Sequence, residues 1–172
     1  MAEALDHLLR HKSPEHLGDL CAGAFRLHLL AQHPRVMARL RDEADGFTRP
    51  DSDIEVMRRL PFATEVASEV LRLYPPVAMM ARQPKQDCVI GGYAVGAGSL
   101  VVIHPYLAQR DPTYWPNPDV FAPNQEVPLP KRLKHRGAYT PFGGGPRLCL
   151  GKQFAIHSRA MSKLQWRRSP NS

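Results

Sequence analysis

Acidic residues are missing from the last quarter of this 172-residue chain: Val127 to Ser172 carries ten Lys/Arg and no Asp or Glu. The first 126 residues hold 13 basic and 16 acidic groups, so the net charge of +7 belongs wholly to the C-terminal part. Cysteine is sparse. Cys21, Cys88 and Cys149 lie 67 and 61 residues apart, with no Cys-x-x-Cys. A zinc knuckle therefore lacks its spacing, and a four-thiolate iron–sulfur site lacks a ligand. The odd count, and a start at Met1 to Asp6 without a basic region or an apolar core, predict a reducing, cytoplasmic setting. Long apolar runs are lacking too. Cys88 to Gln109 is uncharged, but four glycines and Pro105 interrupt it, so no membrane segment is expected.

What is present reads as one globular domain. Hydrophobic residues make up 43% and charged residues 23%, close to ordinary globular usage, and the length suffices for one core. Proline, at 17 residues, is about twice as frequent as usual, which predicts many extended segments. Residues 1–75 read as helical. Pro34 suits a first helical position, and Val36, Met37, Leu40 and Ala44 recur at helical spacing until Gly46. A short helix is expected over Ile54–Leu60, and a longer one through Phe62, Val66, Val70 and Leu73, ended by Pro75-Pro76.

Residues 77–104 change period. Cys88-Val89-Ile90 and Tyr93-Ala94-Val95 flank Gly91-Gly92, the signal of a two-residue hairpin, and Leu100 to Ile103 forms a third β-branched run. Residues 105–151, proline-rich and weakly periodic, read as an ordered meander, a length that makes sense if it wraps something. A final helix is expected over 152–168, through Phe154 and Ile156. The predicted fold class is mostly α with a small antiparallel sheet.

The chemistry concentrates in Phe142-Gly143-Gly144-Gly145-Pro146-Arg147-Leu148-Cys149-Leu150-Gly151. Glycines allow turns and close approach to a ligand. Arg147 is a permanent cation near the thiol, and a position at the start of a helix favours the thiolate that a soft metal needs. A lone cysteine is more often a small buried hydrophobe. A phosphate loop fails twice, because Pro146 stands where that pattern has glycine and Gln153 where it has Ser/Thr.

The whole string resembles the haem-binding signature Phe-x-x-Gly-x-Arg-x-Cys-x-Gly of the cytochrome P-450 family at every fixed position. By that resemblance Cys149 is the axial thiolate of haem iron, the metal ligand of a haem b cofactor. Such a ligand pushes electron density onto iron. Arg147 would bind a haem propionate, Phe142 would pack beside the cysteine loop, and Gly145 and Gly151 would shape it. Glu69-Val70-Leu71-Arg72, followed by Leu73-Tyr74-Pro75-Pro76, is similar to the family's Glu-x-x-Arg helix. Alone, Glu69 and Arg72 would be an ordinary surface pair of about 0.2–0.5 kcal/mol. The resemblance makes them a buried structural clamp and makes Arg82 a second propionate partner. Met79-Met80-Ala81 would face the distal side of the haem or belong to the core. Arg110-Asp111-Pro112 and Pro118 to Pro123 resemble the family's meander, but Gln125 stands where an arginine usually joins the clamp, which leaves the clamp's rigidity open.

The resemblance runs from about Gly18 to Phe154 and matches only the C-terminal part of the family. Leu20-Cys21-Ala22-Gly23 resembles the start of the oxygen-activating helix, and Leu29 to Pro34 its end. The acid–threonine pair expected between them is absent, so no catalytic residue is assigned. The implied activity is insertion of one oxygen atom into a small organic substrate, impaired in this chain. The implied partner is an electron donor, a ferredoxin or a flavoprotein reductase, docking on the basic cysteine-side face. The competing reading is a haem-binding scaffold without turnover. A further one is a nucleic-acid module on Lys131 to Arg136 with Tyr139 and Trp166 as stacking groups, but such a run is more often a solvated face, and no nucleic-acid partner is expected.

Overall fold

The computed structural model describes residues 14–46, 60–123, 135–152 and Ala155. Two helices open it, α1 (Pro14–Gln32) and α2 (Pro34–Asp45), with only His33 between them. Pro34 ends one and starts the other, since its ring cannot continue α1 but suits the first turn of α2. The His33 ring fixes the corner by donating from Nδ1 to the Leu29 carbonyl at 2.7 Å. A third helix, α3 (Pro61–Leu73), follows the stretch that holds the expected Ile54–Leu60 helix, most of which lies outside the described residues.

The apolar spacing of α3 sends Phe62, Val66, Val70 and Leu73 into a cluster with Leu29, Leu30, Leu40, Leu60 and Phe121. Its opposite side is buried as well, including Glu65, Glu69 and Arg72. It is the central helix. Leu60 precedes it without a capping oxygen. The cap comes from α2 instead, where the Glu43 carboxylate accepts from the Phe62 and Ala63 amides, both at 2.8 Å. An anion at that end also meets the helix dipole favourably.

Beyond Pro75-Pro76 four short strands form two antiparallel pairs where a single sheet was expected. In the first, β1 (Met80–Arg82) runs against β4 (Val101–Ile103), with Met80 opposite Ile103 and Arg82 opposite Val101. The hairpin β2 (Cys88–Ile90) to β3 (Tyr93–Val95) lies between them in sequence. Its Gly91 and Gly92 take φ of 58° and 89°, the left-handed pair that a primed turn requires. The meander then opens with one helical turn, α4 (Pro105–Ala108), held to the strand region by the Tyr106 amide on the Ala78 carbonyl at 3.3 Å.

Candidate functional site

The site is built outward from α3. Glu69 and Arg72 lie one turn apart and are 3% and 2% exposed, so the surface-pair reading is excluded. Arg72 Nε donates to Glu69 Oε2 at 2.9 Å and one Nη2 hydrogen to Oε1 at 2.8 Å, a two-pronged ion pair. The remaining donors go to meander carbonyls: Nη1 to Gln109 at 3.1 Å and to Pro118, and Nη2 to Val120 at 2.9 Å. All five guanidinium N–H groups are thereby used. Glu69 Oε1 also accepts from the Ala122 amide at 3.2 Å. Gln125 lies outside the described residues. Backbone carbonyls take the Arg72 donors that Glu69 does not, with no second arginine joining the clamp among the described residues.

Three further side chains tie this helix to the approach to the cysteine loop. Tyr139 donates its hydroxyl to the Ser68 carbonyl at 3.0 Å. Trp115, whose ring lies 5.0 Å from the Arg72 guanidinium, donates Nε1–H to the Ala138 carbonyl at 3.3 Å. Gln109, with no exposed surface, donates to the Leu71 and Arg72 carbonyls and accepts from the Thr140 amide, each at 3.0 Å. The sequence reading missed Gln109. It sits in an uncharged, proline-bounded stretch with no pattern to mark it, and its partners are backbone atoms more than thirty residues away.

The loop itself is a sequence of turns. Gly143, at φ 73°, donates to the Thr140 carbonyl at 3.0 Å. A 3₁₀ turn follows over Gly145–Arg147, with Gly145 at φ 65°, and the Cys149 amide closes back on the Phe142 carbonyl at 3.0 Å. The Lys152 amide to the Cys149 carbonyl at 3.3 Å and the Ala155 amide to the Gly151 carbonyl at 2.8 Å begin a helical turn two residues beyond the cysteine. Most of the expected final helix lies outside the described residues. Gly151 lies beside the sulfur, since a Cβ there would stand 3.8 Å from Cys149 Sγ, in ordinary contact.

Cys149 carries a free, exposed thiol, so the buried-hydrophobe reading does not hold. Leu148 and Leu150 beside it expose 45% and 102% of their surface, an apolar flank open on the cysteine side. Strand β1 stands against the same loop, because a Cβ on Gly143 would lie 3.9 Å from Met80 Cε. Met80 is thus half-buried against the loop, whereas Met79 is exposed. As a result Arg82 and Arg147 line one concavity of about 390 Å³ with Ala81 and Gln83. Among the described residues neither guanidinium is paired with a carboxylate; Arg82 donates only to the Ala81 carbonyl at 2.8 Å and weakly to Met80 sulfur. Phe142 is half-buried at the start of the loop. Arg82 and Arg147 put two cations on one hollow, and Cys149, two residues beyond Arg147, adds a soft donor with an apolar flank; the chemistry of this donor set suits an iron porphyrin with its two carboxylates.

Comparison with known proteins agrees. The Cytochrome P450 family model matches residues 22–161, and the chain belongs to that family. Its cofactor is haem b, and the fold is the haem-side part of the family architecture. The chain is 39% identical to human Cytochrome P450 4V2 over 133 residues, 76% of this chain and 25% of that protein. It is 34% identical to Thromboxane-A synthase of Sus scrofa over 136 residues, 77% of this chain and 26% of the relative. It thus spans about a quarter of the length of these relatives. Among solved structures, the heme domain of cytochrome P450DA superposes with a TM-score of 0.77 at 34% identity, over 87% of this chain and 34% of that one. Among the described residues, no helix is long and apolar enough to cross a membrane.

Proposed function

We propose that this chain forms the thiolate-ligating side of a haem b site of monooxygenase type. Cys149 would ligate the iron through its sulfur, Arg147 and Arg82 would hold the propionates, and Phe142, Gly145 and Gly151 would shape the loop around the sulfur. The observation that carries the reading is the meeting of Arg82 and Arg147, far apart in sequence, in one hollow beside the cysteine loop. Haem ligated by thiolate supplies the activation of molecular oxygen from which one atom enters an organic substrate.

The chain's own residues hold and orient that group. Arg82 and Arg147 offset two carboxylate charges. The hydrogen bond from the Cys149 amide to Phe142 fixes the direction of the residue that bears the sulfur. Glu69 and Arg72 lock the meander that carries the loop. The electron donor this reading calls for, of ferredoxin or flavoprotein type, would meet the basic cysteine side, where Arg147 and Lys152 lie; Lys131 to Lys134 fall outside the described residues.

One feature separates full turnover from haem binding alone. Helix α1 contains no serine or threonine, so it lacks the acid–threonine pair of the family helix it resembles. A proton for bound oxygen needs a donor within hydrogen-bond reach. Haem binding with impaired turnover is the reading that follows, and a non-catalytic haem-binding scaffold is its limit. Titration of the purified chain with hemin, followed by its absorbance, tests the assignment. Arg82→Gln and Arg147→Gln should each weaken retention roughly fivefold, a charge-assisted hydrogen bond in partial solvent. Retention unchanged in the double variant would remove the propionate assignment.

A further inference from the structure

Gln109 has no exposed surface, and each of its polar groups is engaged. Its backbone amide donates to the Pro105 carbonyl at 2.8 Å, and its backbone carbonyl accepts from Arg72. Its side-chain amide donates both hydrogens to the carbonyls of Leu71 and Arg72 at 3.0 Å. Those carbonyls belong to the last turn of α3, where helical partners run out. Its Oε1 accepts the Thr140 amide at 3.0 Å. One uncharged side chain therefore caps the clamp helix and holds the segment leading to the cysteine.

The path from there to the sulfur is short and consists of backbone hydrogen bonds. The Thr140 carbonyl accepts from Gly143, and the Phe142 carbonyl accepts from Cys149. The carboxamide suits this place because it offers two donors to two carbonyls and one acceptor to an amide. An apolar side chain of the same length would leave two buried carbonyls and one half-buried N–H without these partners.

We infer that Gln109 is a positioning residue for Cys149: its side-chain amide sets the stance of the cysteine loop against the end of the Glu69–Arg72 helix, and so decides whether the sulfur reaches the iron as a ligand. The inference rests on the haem-thiolate reading above. It goes beyond that reading by giving the ligand's placement to a residue outside the signature.

The test compares the full chain with Gln109→Met, which keeps length and removes all three side-chain bonds. In the reduced, carbon monoxide-treated protein, the wild type gives the strongly red-shifted band of thiolate ligation, and the variant loses most of it while still retaining hemin. A variant merely lowered in stability would lose hemin and the band together as temperature rises. It would keep the band at full height per haem in the cold, and that result overturns the inference. Hydrogen exchange at the Thr140 amide gives a readout that needs no haem. The variant should exchange about five- to tenfold faster there, the loss of one net hydrogen bond. If wild type shows no thiolate band, the haem reading has failed, and the exchange rate alone decides whether Gln109 holds the loop. If Gln109→Met does not fold, wild type still answers: a Thr140 amide exchanging as fast as an open one in the folded protein excludes the latch.

Discussion

Arg72 is the residue on which most of the described architecture converges. It is buried, its charge is matched by Glu69, and its five donors reach four residues, Glu69, Gln109, Pro118 and Val120. Removing one member of such a pair leaves the other charge uncompensated. Arg72→Met should cost about 3–5 kcal/mol, read as a lower midpoint in urea, and the double change with Glu69→Gln should recover part of that loss. Equal losses in the single and double variants would show that the packing around the pair, and not the stranded carboxylate, sets the cost. Asp111 gives a pH signature at the same scale. Hydrogen bonds from Thr113, side chain first and backbone amide second, hold its exposed carboxyl below the usual carboxylate range. Because the folded pKa is depressed, the contribution is complete above the ordinary carboxyl pKa and is lost as pH falls through the lowered one. Nuclear magnetic resonance titration of Asp111 should give a value that moves up toward the ordinary one in Thr113→Val.

At the scale of elements, the parts legible in the sequence are those whose signal is local. Helix α2 follows from Pro34, an apolar stripe and Gly46, and α3 from its own stripe and the Pro75-Pro76 stop. Gly91-Gly92 marks the hairpin because only a positive-φ pair fits its turn. Strand β1 was not legible. Met80-Ala81-Arg82 has no β-branched residue or alternation, and its pairing is dictated by β4, beyond the intervening hairpin. The cap of α3 was hidden for a similar reason, since Leu60 at its start has no side-chain oxygen and Glu43 arrives from another helix. Glu43→Gln keeps one acceptor and removes the charge. It should lower stability by about 1 kcal/mol, seen in thermal unfolding, while Glu43→Ala should lower it further. No change in either variant would mean that water serves the two amides as well.

For the whole molecule, the candidate site was readable where the chemistry is contiguous and unreadable where the fold assembles it. Phe142 to Gly151 carries its own signature, and Glu69 with Arg72 reads as a clamp only beside the turn that follows it. The approach of β1 to the cysteine loop, which brings Arg82 to Arg147, needed the fold. Exposed apolar side chains on the strands and near the cysteine, among them Val102, Ile103, Leu148 and Leu150, fit a surface that meets other apolar matter, haem included. Ligation through the sulfur of Cys149 is the claim from which the rest of the functional account follows, and the carbon monoxide difference spectrum of the reduced, hemin-loaded chain tests it most directly. The account predicts the strongly red-shifted thiolate band in wild type and its complete loss in Cys149→Ser. The same band surviving in Cys149→Ser would contradict it.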